Sequence, residues 1–174
     1  MMRPQQREES AMSLWKGWIV TLLLCVGGSA VGAPQIYGWA ERGRLEPAGL
    51  LMNLKLDTGA DTSSLDARRL REFVRGGARW VSFTVRGEGT RGPRTVRLER
   101  EVTRYVTVRG AGGSDSRPVV HMSICIGDRL LEDEFTLNDR QKMAYPVLIG
   151  RKTLAQMDAA VAANRTYTRA PECP

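Results

Sequence analysis

At 174 residues, with 42% hydrophobic and 26% charged side chains, the chain is long enough for one domain with a real core and reads as globular. Its formal net charge is +7. Basicity alone would admit a polyanion partner, but aromatic residues are sparse among the arginines and no nucleic-acid module is recognisable, so DNA or RNA binding is not expected.

The first thirty residues do not belong to the core. Trp18 to Val26 is an apolar run preceded by Lys16 and followed by the small residues Gly27 to Ala33, the pattern of a secretory signal (residues 1–30). Cleavage is expected after Ala30, because Pro34 would obstruct a cut after Ala33; Met12 is an alternative start that removes Glu8 and Glu9 from the n-region. Leu24 sits where a lipoprotein site at Cys25 would need a small residue. An uncleaved membrane anchor is the alternative, although the run falls short of the roughly twenty residues that span a bilayer. Residues 31–174 are then one domain, ending in a frayed tail.

Gln35 to Ala40 predicts a short strand, and Gly43 to Gly49 a loop. From Leu50, apolar Leu54 and Leu56 alternate with Asn53 and Lys55, the period-two signature of a half-buried strand that runs straight into Asp57-Thr58-Gly59-Ala60. A carboxylate at the end of a buried strand is costly unless it is hydrogen-bonded. Gly59 permits the tight turn, and the Thr58 hydroxyl and nearby amides supply donors, so Asp57 is a candidate acid or base. Leu65, Leu70, Phe73 and Val74 stand at near-helical spacing behind Ser63 or Ser64, which predicts a short helix over 64–74.

From Arg79 the pattern is β throughout. Trp80–Val85 and Thr95–Leu98 flank the hairpin loop Arg86–Pro93; Val102–Val108 and Val119–Ile126 flank a second loop at Gly110–Ser116; Gly127-Asp128 turns into Leu130–Leu137. Tyr145 to Ile149 is an apolar strand ending in Gly150-Arg151, and Thr153–Ala163 reads as a further helix. The succession argues a mainly β, barrel-like domain with one or two short helices. A Cys125–Cys173 disulfide is left open in an oxidising compartment, since sequence does not place their Cα atoms, and a buried thiol is the default at Cys125.

Asp57-Thr58-Gly59-Ala60 and, about ninety residues later, Val147-Leu148-Ile149-Gly150-Arg151 together resemble the paired motifs of retropepsin-type aspartic peptidases. Gly38-Trp39, Thr62-Ser63-Ser64-Leu65, Trp80-Val81-Ser82-Phe83 and Arg117-Pro118-Val119-Val120 narrow the resemblance to a bacterial retropepsin-like family often labelled ATP-dependent zinc proteases. Asp61 departs from many of its members and is closer to the viral Asp-Thr-Gly-Ala-Asp pattern.

The resemblance implies a closed barrel forming one lobe per chain, with catalytic Asp57 supported by Thr58, Gly59 and Ala60, and a second motif at Ile149 and Gly150. It implies that Asp61 binds substrate backbone and pairs with Arg151. It places a glycine-rich flap at Gly110, Ala111, Gly112 and Gly113, with the Arg86–Pro93 hairpin as an insertion. A pepsin-like reaction needs two carboxylates and the chain carries one such motif, so a homodimer is expected. Members often accompany ATP-grasp ligases that add amino acids, which implies a functional link to such a ligase, and the signal implies the periplasm.

The zinc and ATP of the family label find no residues here. His121 is the sole histidine, and zinc hydrolysis usually takes three protein ligands. Gly150-Arg151-Lys152-Thr153 lacks the upstream glycine and the Gly-Lys step of a phosphate loop. No cofactor and no metal is expected. Twelve arginines face four glutamates between Arg68 and Arg109, which favours a peptide or protein substrate of acidic character or, equally, a solvated surface. The reading is an aspartic endopeptidase; the alternatives are a non-catalytic binding or regulatory domain and an amidase that removes ligase-added amino acids.

Overall fold

The computed structural model describes residues 33–110 and 113–174. The expected signal at 1–30, with Cys25, and the flap residues Ala111 and Gly112 lie outside the described residues.

Two strands, β1 (Gln35–Glu46) and β2 (Leu50–Leu56), form the opening hairpin. Leu50, Met52, Leu54 and Leu56 are all buried while Asn53 is exposed, as the alternation predicts. The loop expected from Gly43 shrinks to a turn at Gly49, whose φ is +62°. Gly43 instead sits inside β1, where a Cβ would lie 2.6 Å from Leu54 Cδ1 and 3.0 Å from the Cys125 carbonyl oxygen, so this glycine marks a close approach and not a turn.

The helix expected over 64–74 is absent. Its place is taken by β3 (Ser63–Asp66), buried throughout, and β4 (Arg68–Arg75), exposed along most of its length. Arg69, at φ 56°, lies where the pairing of β4 is irregular. The apparent helical spacing of Leu65, Leu70 and Phe73 spans two strands with different partners, and tertiary pairing overrides local propensity. Next come β5 (Ala78–Gly89), β6 (Gly92–Glu101), β7 (Arg104–Gly110), β8 (Gly113–Ile126) and β9 (Arg129–Asn138), which build the three expected hairpins with shorter turns. After β10 (Val147–Ile149), the expected second helix is only α1 (Arg151–Gln156). The rest becomes β11 (Ala159–Thr166), which pairs in parallel with β1.

Six strands close a ring in the order β1, β8, β9, β3, β10 and β2, with β2 returning to β1. Tyr37, Leu54, Leu65, Phe83, Met122, Phe135 and Ile149 fill its core, all under 2% exposed. Mainly β architecture with one short helix among the described residues is therefore what the chain adopts. The β4–β5–β6 extension hangs from β2, and β7 from β8.

The C-terminal tail is not frayed, and Cys125 is not a free thiol. Cys125 and Cys173 form a disulfide with Cα atoms 5.9 Å apart. The tail is also held by Glu41, which is wholly buried: its carboxylate accepts from the amides of Gly38 (2.6 Å) and Thr168 (2.8 Å) and from the Thr168 hydroxyl. Arg44 donates to the carbonyls of Pro171 and Cys173. Every partner on the tail lies at least 48 residues from its contact, so the tail's tethering was not readable from its Pro-rich composition.

Candidate active site

The site is built where β10 runs between β2 and β3. Val147, Leu148 and Ile149 pair in parallel with Leu54, Lys55 and Leu56, and Val147 and Leu148 pair on the other side with Leu65 and Ser64. The loop that joins β2 to β3 must therefore pass over the end of β10. Its first residue, Asp57, donates its amide to the Ile149 carbonyl (2.9 Å). The two motifs recognised in the sequence meet at that bond.

Asp57 is held from both sides. Its Oδ1 accepts from the Gly59 amide at 3.0 Å, and Oδ2 lies 3.1 Å from the Lys55 ammonium. Leu54 and Leu56 face the core, so Lys55 and Asp57, two residues apart on the strand, share the outer face. Partial burial raises the carboxyl's pKa, but the Lys55 hydrogen bond, the Gly59 amide, the Lys55 charge and the Ala60 amide together outweigh it, and Asp57 titrates below the usual carboxylate range. Lys55 is the residue that sequence reasoning passed over. Strand alternation alone puts the two side chains on one face, and the structure adds that they touch.

Gly150 is required by packing. A Cβ on it would stand 2.7 Å from the Thr62 carbonyl carbon and 3.0 Å from the Asp61 oxygen. Its amide donates to the Ser63 hydroxyl (3.0 Å). Thr153 in turn bonds Asp133 (2.5 Å), so the Ser63 proton points to Thr153 Oγ1 at 2.7 Å. This relay clamps the start of β3, α1 and β9 together. Ser63 is thus not a helix cap but a brace.

Gly150→Ala is expected to cost about 3 kcal/mol, because backbone opposes the new methyl and cannot rotate away as a side chain would. The same strain displaces the Ile149–Asp57 contact, and if Asp57 reacts as the sequence leads one to expect, a misplacement of about 1 Å costs about 100-fold in rate. Urea denaturation and a cleavage assay on one preparation check both; native values for both would show that the loop tolerates the shift.

Asp61 and Arg151 are brought together as the resemblance implies. Arg151 Nη2 is 3.0 Å from Asp61 Oδ1, Lys152 Nζ is 2.9 Å from Oδ2, and Arg151 also reaches the Thr58 carbonyl at 3.4 Å. The Lys152 hydrogen bond leads the causes that hold the Asp61 carboxyl below its ordinary pKa, with both cations' charge and the Arg151 bond adding to it against slight desolvation. Thr58, Gly59 and Asp61 are exposed and Ala60 is half-buried. Gly110 and Gly113 close the β7–β8 hairpin as a cross-strand pair, a tighter end than the loop expected to reach Ser116. Among the described residues, no hydrogen bond of the Asp57 loop reaches that hairpin.

A cavity of about 490 Å³ lies between β1, β2 and β5, lined by Arg42, Met52, Asn53, Arg68, Arg86 and Glu88 among others; Asp57 is not part of its wall. The carboxylate lies outside that cavity, its side chain about a quarter exposed.

Residues 36–172 match the family model described as RimB-like, retropepsin-like aspartic endopeptidase RimB. The chain belongs to that family. It is 33% identical over 102 residues to a probable alpha-L-glutamate ligase of Shewanella pealeana, a match covering 58% of this chain and 22% of the relative. A protein of the same name from Desulfotalea psychrophila is 32% identical over 108 residues, covering 62% and 23%. The chain therefore spans less than a quarter of the length of these curated relatives. A crystal structure of a Legionella pneumophila protein of unknown function is 31% identical, with a TM-score of 0.65 over 77% of this chain and 97% of that one. The RimB-like match begins one residue into β1 and ends beside Cys173, so it takes in the whole ring, the Asp57 loop and the tethered tail.

Proposed function

We infer that the chain is one half of an aspartic endopeptidase, completed by a second copy. The observation that carries this is Asp57: an acid held by its own loop at the end of a core strand and partly exposed, in a chain whose sequence holds one Asp-Thr-Gly. Two copies related by a two-fold axis would bring two such loops face to face, with Thr58 of each reaching across.

In that pair one proton is shared, because two like charges a few ångströms apart do not both ionise readily. The ionised carboxylate takes a proton from water as the water oxygen bonds to the amide carbon. The protonated one gives its proton to the carbonyl oxygen. Collapse of the resulting gem-diol returns one hydroxyl proton to the ionised carboxylate while the protonated carboxyl gives its proton to the leaving nitrogen, and the C–N bond breaks, leaving the pair with one proton again. Asp61, fixed by Arg151 and Lys152, serves as an acceptor for substrate backbone.

The substrate is a peptide or protein, and the arginine-rich stretch from Arg68 to Arg109 favours an acidic one. The names of the curated relatives favour a second reading, in which the same dyad hydrolyses amide bonds formed when a ligase adds amino acids. Export to the periplasm through residues 1–30 completes the proposal. The test is peptide-library cleavage at acidic and neutral pH together with sedimentation. Rate per chain should rise with protein concentration as dimer forms; a chain that stays monomeric at high concentration and cleaves nothing would favour a binding domain.

A further inference from the structure

We propose that Lys55 is a positioning residue of this site, its ammonium engaging Oδ2 of Asp57 and setting the pH range in which a pair of such carboxylates can share a proton. The proposal rests on the peptidase reading and adds a third group to it.

The geometry separates the two oxygens of Asp57 by role. Oδ1 is turned into its own loop, where the Gly59 amide fixes it. Oδ2 makes no hydrogen bond to that amide, and Lys55 Nζ stands 3.1 Å from it. With Oδ1 and Oδ2 both engaged, the carboxylate plane is fixed before any partner arrives, which is the preorganisation that proton transfer needs.

Other charges near Asp57 do not substitute for Lys55. Arg140, from the segment after β9, acts on Asp57 only through space, and its side chain is spent on the Tyr145 carbonyl at 3.2 Å. Arg151 and Lys152, from α1, are committed to Asp61. Lys55 is the cation in contact.

Electrostatics then sets a consequence for the assembled dimer. Two carboxylates sharing one proton carry a single negative charge, and two ammonium groups would outweigh it. Such a site loses its shared proton more readily than one without lysines, so its activity falls off at lower pH on the basic side. The same cations ease the approach of two acids, which would otherwise repel.

Lys55 is 45% exposed at the side chain, so removing it leaves the fold in place. The test compares native protein with Lys55→Met and Lys55→Arg. Asp57 is followed by carbon NMR of its labelled carboxyl, assigned by the resonance lost in Asp57→Asn, and cleavage by its pH–rate profile. In Lys55→Met the Asp57 titration and the basic limb of the profile should both move to higher pH; Lys55→Arg should restore the native position of each. An Asp57 titration and a profile that stay put in Lys55→Met would overturn the proposal. If native protein cleaves nothing at any pH, the peptidase reading fails by itself, and an Asp57 titration unmoved in Lys55→Met still overturns the contact inferred here.

Discussion

Asp57→Asn is expected to lower the cleavage rate by at least about 10³-fold while the protein still folds, since general acid–base groups supply about 10² to 10⁴ of an enzyme's acceleration. Asparagine keeps the shape of the side chain, and its carbonyl oxygen still accepts from the Gly59 amide. What it loses is the capacity to hold or yield a proton, together with the Lys55 ion pair. That pair is partly exposed, and its loss should alter stability by less than about 1 kcal/mol. A denaturation midpoint close to native alongside lost cleavage is the expected result.

The same variant tests the unit of function. If each site takes one Asp57 from each of two chains, then native protein refolded with a growing share of Asp57→Asn chains should lose activity as the square of the native fraction. Activity that falls only in proportion to the native fraction would place a complete site in each chain and end the dimer mechanism.

The second large effect concerns the tail. Cys173→Ser should cost about 4 kcal/mol, because the Cys125–Cys173 bond closes a loop of 48 residues and an open chain of that length recovers its closure entropy on unfolding. The contacts of Glu41 with Thr168 and of Arg44 with Pro171 remain to hold the tail, so the loss should appear mostly as a lower urea midpoint and not as a changed native fold. Native protein kept in a thiol reductant should reach the same midpoint as Cys173→Ser. Equal midpoints for oxidised native and variant would mean that the crosslink constrains nothing in the unfolded chain.

How far the amino-acid order reveals the site differs between its parts. Asp57, Gly59, Gly150 and Arg151 were legible because each is local chemistry: a period-two strand, a turn residue, an apolar run that stops at glycine. Lys55 was visible as an outward position and was not read as part of the site, since strand alternation says which face a side chain takes but not whether its ammonium meets a carboxylate. Ser63 and Thr153 were opaque for a stronger reason. Their hydroxyls meet across a sequence separation of 90 residues, and only the placement of α1 against β3 brings them together.

The misread elements follow the same division. Leu65, Leu70 and Phe73 match a helical period, and Thr153 to Ala163 begins as a helix. In both stretches local preference is weak, and the pairing partners β9, β10, β5 and β1 lie elsewhere in the chain. By itself, then, the sequence determined the class of fold, the two motifs and the candidate acid, because these rest on short-range periodicity and on residue chemistry. The tertiary structure decided that β10 passes between β2 and β3, that Lys55 sits on Asp57, and that Cys173 reaches Cys125. Each of these depends on which distant strands exchange hydrogen bonds and bury each other's side chains, a choice made by the packing of the whole core.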